Sequence, residues 1–243
     1  MTSQQRRILA LQHIAIEHPG IFRSFLAEDG ISWDAVQLDQ GDTIPDLHGY
    51  DALWVMGGPM DVWQKLEHPW LESEIEVVRE AVAKRKLPYL GLCLGHQLLA
   101  EALGGRVGPS DQPEIGILEV YLTDAGKRSP LFKGLSDTTR CLQWHSAEVL
   151  GIPDDVEVLA STPACRVQAL SVNGNALGLQ YHVEISSETV SEWAKVAEYK
   201  QALELNLGSN AVEKMEAEAA ASMDDFNRCA RIVYDNWKTN AFG

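Results

Sequence analysis

The sequence predicts an α/β fold, a mostly parallel central sheet flanked by helices with a helical C-terminal extension, and three observations support it. Between residues 7 and 105, short apolar runs alternate with segments of helical spacing, the pattern of parallel strands joined by crossover helices. A Gly-x-Cys-x-Gly run, Gly91 to Gly95, falls where one such strand meets one such helix. Beyond residue 186 the strand-like runs cease and helical spacing takes over.

Ile8 to Ile14 suits a first strand, Ile21 to Glu28 a helix, and Ala35 to Leu38 a second strand. Gly41-Asp42 and Pro45-Asp46 punctuate a loop. Ala52 to Met56 then reads as a buried strand running into Gly57-Gly58-Pro59. Leu71, Ile75, Val78, Ala81 and Val82 recur at helical offsets, and Pro88 stops that helix. Tyr89 to Leu92 is the next strand, and Leu94 to Leu103 a helix closed by Gly104-Gly105. From 106 to 184 the pattern turns to shorter strands: Ile117 to Leu122, Arg140 to Trp144, Val156 to Ala160, Ala164 to Leu170, and Ala176 to His182. Asn173-Gly174-Asn175 is a hairpin signal between the last two, so this end of the sheet should be mixed. Near the C-terminus Phe226, Cys229, Ala230, Val233 and Trp237 form an apolar helical stripe that requires burial. The simplest organisation is a domain over 7–190 with a helical extension over 191–243 packed on it. The cysteines other than Cys93 read as core.

The 243 residues are 45% hydrophobic and 23% charged, enough to close a core and incompatible with wholesale disorder. Acidic residues outnumber basic ones 35 to 20, for a net charge of −15, and no Lys/Arg cluster appears. Nucleic acid and anionic membrane are therefore not expected partners. No apolar run approaches the ~20 residues of a membrane span. The cysteines Cys93, Cys141, Cys165 and Cys229 show no CxxC spacing and are too few for a secreted disulfide scaffold, so a reducing cytoplasm is expected.

Gly91-Leu92-Cys93-Leu94-Gly95 fits a nucleophile elbow, in which flanking glycines let the chain turn sharply from strand to helix beneath an exposed side chain. The thiol then sits at a helix N-terminus, an environment that favours anions. The amide of Leu94 can point at a developing oxyanion. A base is offered by Gln180-Tyr181-His182-Val183-Glu184: side chains two apart in a strand share a face, so Glu184 can orient the His182 imidazole towards Cys93. A second oxyanion donor is expected from Gly57-Gly58-Pro59, at the end of a neighbouring strand. No metal is expected, because His182 and Glu184 lack a third ligand at suitable spacing. His96 and His145 read as pocket-lining residues rather than proton carriers, and Trp63 and Trp70 as packing anchors rather than a lid over the site.

Taken together, Met56-Gly57-Gly58-Pro59-Met60, Leu90 to Ala100, Ala102-Leu103-Gly104-Gly105 and Tyr181 to Glu184 resemble the class I glutamine amidotransferases with a Cys-His-Glu triad, in particular free-standing proteins similar to the glutaminase part of GMP synthase. The resemblance implies a flavodoxin-like fold, no cofactor, and Cys93, His182 and Glu184 as catalytic residues. It further implies oxyanion donors at Gly58 and Leu94, and a glutamine pocket drawing on Gly57, Gln97, His145 and Ser146. Val183 stands where the family commonly has proline; both flanking catalytic side chains remain. The expected substrate is glutamine or another γ-glutamyl compound.

No GxxxxGK[ST] phosphate loop is present, so an ammonia-consuming synthetase or other acceptor enzyme would lie on another chain. Two alternatives stand beside this reading: a free-standing γ-glutamyl peptidase using the same triad, and a binding module that keeps the fold without turnover.

Overall fold

The structure, a computed structural model, describes residues 5–243. Strands β1 (Arg7–Gln12), β2 (Ser32–Gln37), β3 (Ala52–Val55), β4 (Tyr89–Leu92), β5 (Arg106–Leu122), β6 (Thr138–Gly151), β7 (Glu157–Ser161), β8 (Ala169–Val172) and β9 (Ala176–Leu179) form one sheet in the order β2-β1-β3-β4-β9-β8-β7-β5-β6. The pairings β1–β2, β1–β3, β3–β4 and β4–β9 are parallel. The pairings β8–β9, β7–β8, β5–β7 and β5–β6 are antiparallel. The sheet is thus mixed, and the expected parallel pairing is confined to its first five strands. The reversal comes at the hairpin between β8 and β9, whose turn holds Asn173 and Gly174 at positive φ.

Helices α1 (Phe22–Glu28), α2 (Trp70–Arg79), α3 (Leu94–Ala102), α4 (Asp124–Arg128), α5 (Thr189–Trp193), α6 (Ala197–Leu207) and α7 (Ala211–Phe242) complete the fold. Alternation along the parallel strands builds two cores. Ile8, Ala10, Trp54 and Leu90 pack with Phe22 and Leu26 of α1 and Val233, Tyr234 and Trp237 of α7. Leu9, Leu11, Leu53 and Val55 face the other way, against Leu71, Ile75 and Val78 of α2 and Leu98 of α3. The stripe on α7 is buried at Phe226, Ala230, Val233 and Trp237, and the Trp237 indole donates to the Tyr89 carbonyl at 3.0 Å. A third cluster joins Ile115, Leu142 and Trp144 to Trp193, Tyr199 and Phe226.

Four local expectations are corrected. The helix predicted from Leu71 to Val82 is α2 followed by a π-turn over Glu80–Lys84. Strands β5 and β6 extend well beyond the apolar runs, because Pro109 and Pro113 interrupt the pattern while pairing resumes across a register shift between Pro109 and Glu114. The run expected from Ala164 begins pairing only at Ala169, since a turn intervenes in which the Thr162 amide donates to the Cys165 carbonyl and the Cys165 amide to the Thr162 hydroxyl. Cys229 lies on the flank of its stripe and is half-buried, whereas Cys141 and Cys165 are buried.

Candidate active site

Three strand ends meet at the C-terminal edge of the parallel half, where open α/β sheets place their ligands. Strand β4 leads to Cys93, β9 leads towards His182, and β3 leads to Gly57-Gly58. Cys93 has φ 50° and ψ −103°, an unfavourable conformation for any side chain, and is pinned by its own amide donating to the Leu179 carbonyl at 2.7 Å. The turn needs bare backbone next to it: a Cβ on Gly95 would lie 2.1 Å from the Val55 carbonyl oxygen. The sharp strand-to-helix bend of a nucleophile elbow is therefore present at Cys93.

His182 is almost wholly buried, and its amide donates to Leu142 O at 2.9 Å, tying it to β6. Its Nδ1 lies 2.7 Å from Glu184 Oε1. Nδ1 is taken up by the Glu184 carboxyl, and Cys93 lies close enough to act on the ring's charge. Burial alone would depress this imidazole, but the Glu184 carboxylate, and then Cys93, outweigh burial and hold it well above the usual histidine range. Glu184 is fixed from behind by the Ile21 amide, which donates to its carbonyl at 2.7 Å. Trp193 of α5 meets the His182 ring edge to face at 4.5 Å.

A cavity of about 120 Å³ opens over the thiol, with Gly58, Cys93, Leu94, Gln97, Trp144, His145, Ser146 and Tyr199 among its walls. Neither the Gly58 nor the Leu94 amide finds an acceptor among the described residues. Gln97 donates to Gln180 Oε1 at 3.0 Å, and Gln180 in turn donates to Cys93 Sγ at 3.6 Å. Of the site residues expected from sequence, Gly58, Cys93, Leu94, Gln97, His145 and Ser146 line the cavity, whereas His182, Glu184 and Gly57 lie outside its lining. A Cβ on Gly57 would come within 2.6 Å of Glu17 Oε2. His145 faces Glu114 at 3.4 Å rather than its sequence neighbour Glu148. Contrary to the pocket-lining expectation, His96 is fully buried on the side of α3 packed against Gly178 of β9 and does not line the cavity. Trp70 stacks on His13, whereas Trp63 is largely exposed.

Sequence reasoning missed a layer beneath this site. Glu17 is buried and accepts a 2.6 Å hydrogen bond from the Tyr199 hydroxyl. Burial drives its carboxyl up to about 7, with His182 and the Tyr199 hydroxyl pulling the other way. His13 and Glu74 are both fully buried and paired at 3.0 Å. The signals existed: Gln12-His13 is a polar pair closing an apolar strand, and Glu74 falls within the apolar stripe of α2.

With the geometry in place, comparison with known proteins identifies the family. Residues 22–194 match the family described as glutamine amidotransferase class-I. The chain belongs to the class I glutamine amidotransferases. A glutamine amidotransferase-like protein, YfeJ, from Salmonella typhimurium is 32% identical over 190 residues, covering 76% of this chain and 78% of its own. A glutamine-hydrolyzing GMP synthase subunit from Sulfolobus acidocaldarius is 31% identical over 153 residues, covering 63% of this chain and 77% of its own. The crystal structure of a glutamine amidotransferase from Thermotoga maritima superposes with a TM-score of 0.86 at 25% identity, covering 99% of this chain and 100% of that one. The likeness to that amidotransferase thus spans the C-terminal helices as well, and in this chain α6 supplies Tyr199 to the cavity wall. Among the described residues, no group of three or more His, Cys, Asp or Glu side chains is placed to hold a metal ion, and no helix is long and apolar enough to cross a membrane.

Proposed function

We propose that this class I amidotransferase hydrolyses the side-chain amide of glutamine through a γ-glutamyl thioester on Cys93. The observation that carries the reading is the His182 imidazole, held by Glu184 at Nδ1 and close enough to Cys93 for the sulfur to act on its charge. Cys93 Sγ attacks the amide carbon with its proton already held by His182. The Gly58 and Leu94 amides receive the oxyanion, and His182 protonates the departing ammonia. Water, deprotonated by His182, then attacks the thioester and releases glutamate and free thiol. Gln97, His145 and Ser146 line the cavity that holds the substrate. The ammonia acceptor is a synthetase or other enzyme on another chain, in keeping with relatives named as glutamine-hydrolyzing GMP synthase subunits.

A second reading, γ-glutamyl peptidase, is favoured by one feature. A larger cleft of about 500 Å³, walled by Ile14, Ile16 and Val196 among others, adjoins the thiol cavity through Pro59, Met60 and Glu198. It offers room for a leaving group bigger than ammonia. Glutamate release from glutamine and from γ-glutamyl dipeptides, with no partner protein added, separates the two readings. Dipeptides turned over well in preference to glutamine establish the peptidase.

A glutamine-mimicking electrophile is expected to form one covalent adduct, at Cys93, absent in Cys93→Ala. Burial pushes the Cys141 thiol well above the ordinary range and Cys165 up to about 12, so neither competes. Labelling at Cys141, or none in folded protein, removes the mechanism. Glu184→Gln is expected to lower kcat about 10⁴-fold while leaving measurable turnover, because an orienting group costs less to remove than a nucleophile, whose loss costs about 10⁶-fold. A loss equal to that of Cys93→Ala in the same steady-state assay would show that Glu184 does more than orient.

A further inference from the structure

Behind the cavity wall lies a second histidine–carboxylate pair that the mechanism above leaves unused. His13 follows the C-terminal end of β1, Glu74 sits within α2, and neither has any solvent exposure. His13 Nε2 lies 3.0 and 3.1 Å from the two Glu74 oxygens, and its Nδ1 lies 2.7 Å from the Gly57 carbonyl oxygen. Trp70 stacks on the ring at 5.4 Å, closing its remaining face. A carbonyl only accepts, so Nδ1 carries a proton and donates it to Gly57. Glu74 fixes the ring from the far side.

Burying such a pair is a poor way to gain stability, because desolvation offsets most of the attraction and apolar side chains of the same volume often serve as well. The Gly57–Gly58 peptide gives it another use. In a planar trans peptide, the carbonyl and the following N–H point in opposite directions. With the Gly57 oxygen held by His13, the Gly58 N–H is directed away from His13, towards the cavity it shares with Cys93 and Leu94. Glycine on both sides leaves this peptide free of the Cβ restraints that would fix its orientation elsewhere. Turned over, it would present a carbonyl oxygen to the developing oxyanion, replacing an attraction by a repulsion.

We propose that His13 and Glu74 form a positioning dyad that holds the Gly57–Gly58 peptide with its N–H facing the oxyanion. This rests on the acyl-transfer reading above and adds a cause for one of its two donors. The dyad touches neither substrate nor thiol. Its effect is confined to steps that pass through a tetrahedral oxyanion.

Two reactions of Cys93 separate that effect from a general loss of structure. Amide hydrolysis forms an oxyanion. Alkylation by iodoacetamide does not: sulfur attacks the methylene carbon, the carbon–iodine bond breaks, and iodide leaves. In His13→Gln the side-chain amide reaches towards Glu74 and leaves Gly57 without its donor, whereas His13→Asn keeps a donor near the position of Nδ1. His13→Gln is expected to lower kcat for glutamine about 10²- to 10³-fold, the usual effect of losing one oxyanion donor, with KM and the alkylation rate each within about threefold of the parent. His13→Asn is expected to recover at least about tenfold of that loss. His13→Phe combined with Glu74→Gln, which strands no buried charge, should behave like His13→Gln and serves in its place if that variant does not fold.

Hydrolysis within threefold of the parent in both donor-less variants overturns the dyad's role, as does alkylation falling in step with hydrolysis. A parent protein that is alkylated at Cys93 yet releases glutamate from neither glutamine nor γ-glutamyl dipeptides overturns the acyl-transfer reading itself. That second failure is visible before any variant is made.

Discussion

Cys93→Gly is expected to abolish turnover and raise the stability of the fold in the same protein. Cys93 sits at φ 50° and ψ −103°, where an L side chain is strained by about 1–3 kcal/mol and glycine is not. Glycine restores part of that energy while losing little burial, because Cys93 contributes a small side chain at the cavity floor. The greater freedom of glycine in the unfolded chain takes back up to about 1 kcal/mol, leaving an expected net gain of about 1 kcal/mol. Activity should fall about 10⁶-fold, since on the proposed mechanism removing Cys93 removes the whole covalent route. Cys93→Ala is the control: equally inactive, but with the strain retained and the stability close to that of the parent. Denaturant unfolding of the three proteins tests the difference. If alanine and glycine stabilise equally, the thiol itself rather than the backbone bend is the source of strain.

The same bend explains why this part of the molecule could be read from sequence. An elbow is a local object: five consecutive residues specify the strand end, the turn and the first helical amide, and Gly91 and Gly95 mark it directly. His182 and Glu184 are legible for a similar reason, being two residues apart at the end of an apolar run. The parallel half of the sheet follows from alternating apolar and helical segments. The length of β5 and β6 does not, because Pro109 and Pro113 erase the apolar pattern while the partner strand supplies the pairing. The layer beneath the site is less legible still. His13 meets Gly57 and Glu74 across 44 and 61 residues, and Tyr199 meets Glu17 across 182. Nothing in the local sequence of a polar residue names a partner that only the packed sheet brings near.

Those long-range contacts leave a signature in the pH dependence of stability. Burial raises the Glu17 carboxyl from 4.5 to about 7 in the folded chain, with Glu184 adding to it and His182, His13 and the Tyr199 hydroxyl opposing. Between those values the folded chain holds a proton that the unfolded chain has released. Stability therefore falls as pH rises through that interval, by on the order of 3 kcal/mol in all. His96 acts in the opposite sense. Burial, reinforced by nearby His145, lowers it from 6.5 to about 3, so on acidification the unfolded chain gains a proton that the folded chain refuses. Its contribution is complete above 6.5 and is lost as pH falls towards 3. Between pH 4.5 and 6.5 the two slopes oppose, each amounting to roughly 2–3 kcal/mol across the window, and they largely cancel in the parent protein. Each substitution then exposes the other group. Going from pH 6.5 to 4.5, Glu17→Gln should lose about 2–3 kcal/mol more stability than the parent, and His96→Gln about as much less. His13 and His182, both raised above the usual histidine value, titrate beyond the upper end of this window and leave the comparison undisturbed. Unfolding free energies of the three proteins at the two pH values decide the matter. Parallel pH profiles for Glu17→Gln and the parent would mean that the carboxyl under the Gly57 turn is ionised throughout, and that the positive charge of the neighbouring histidines, rather than burial, governs it.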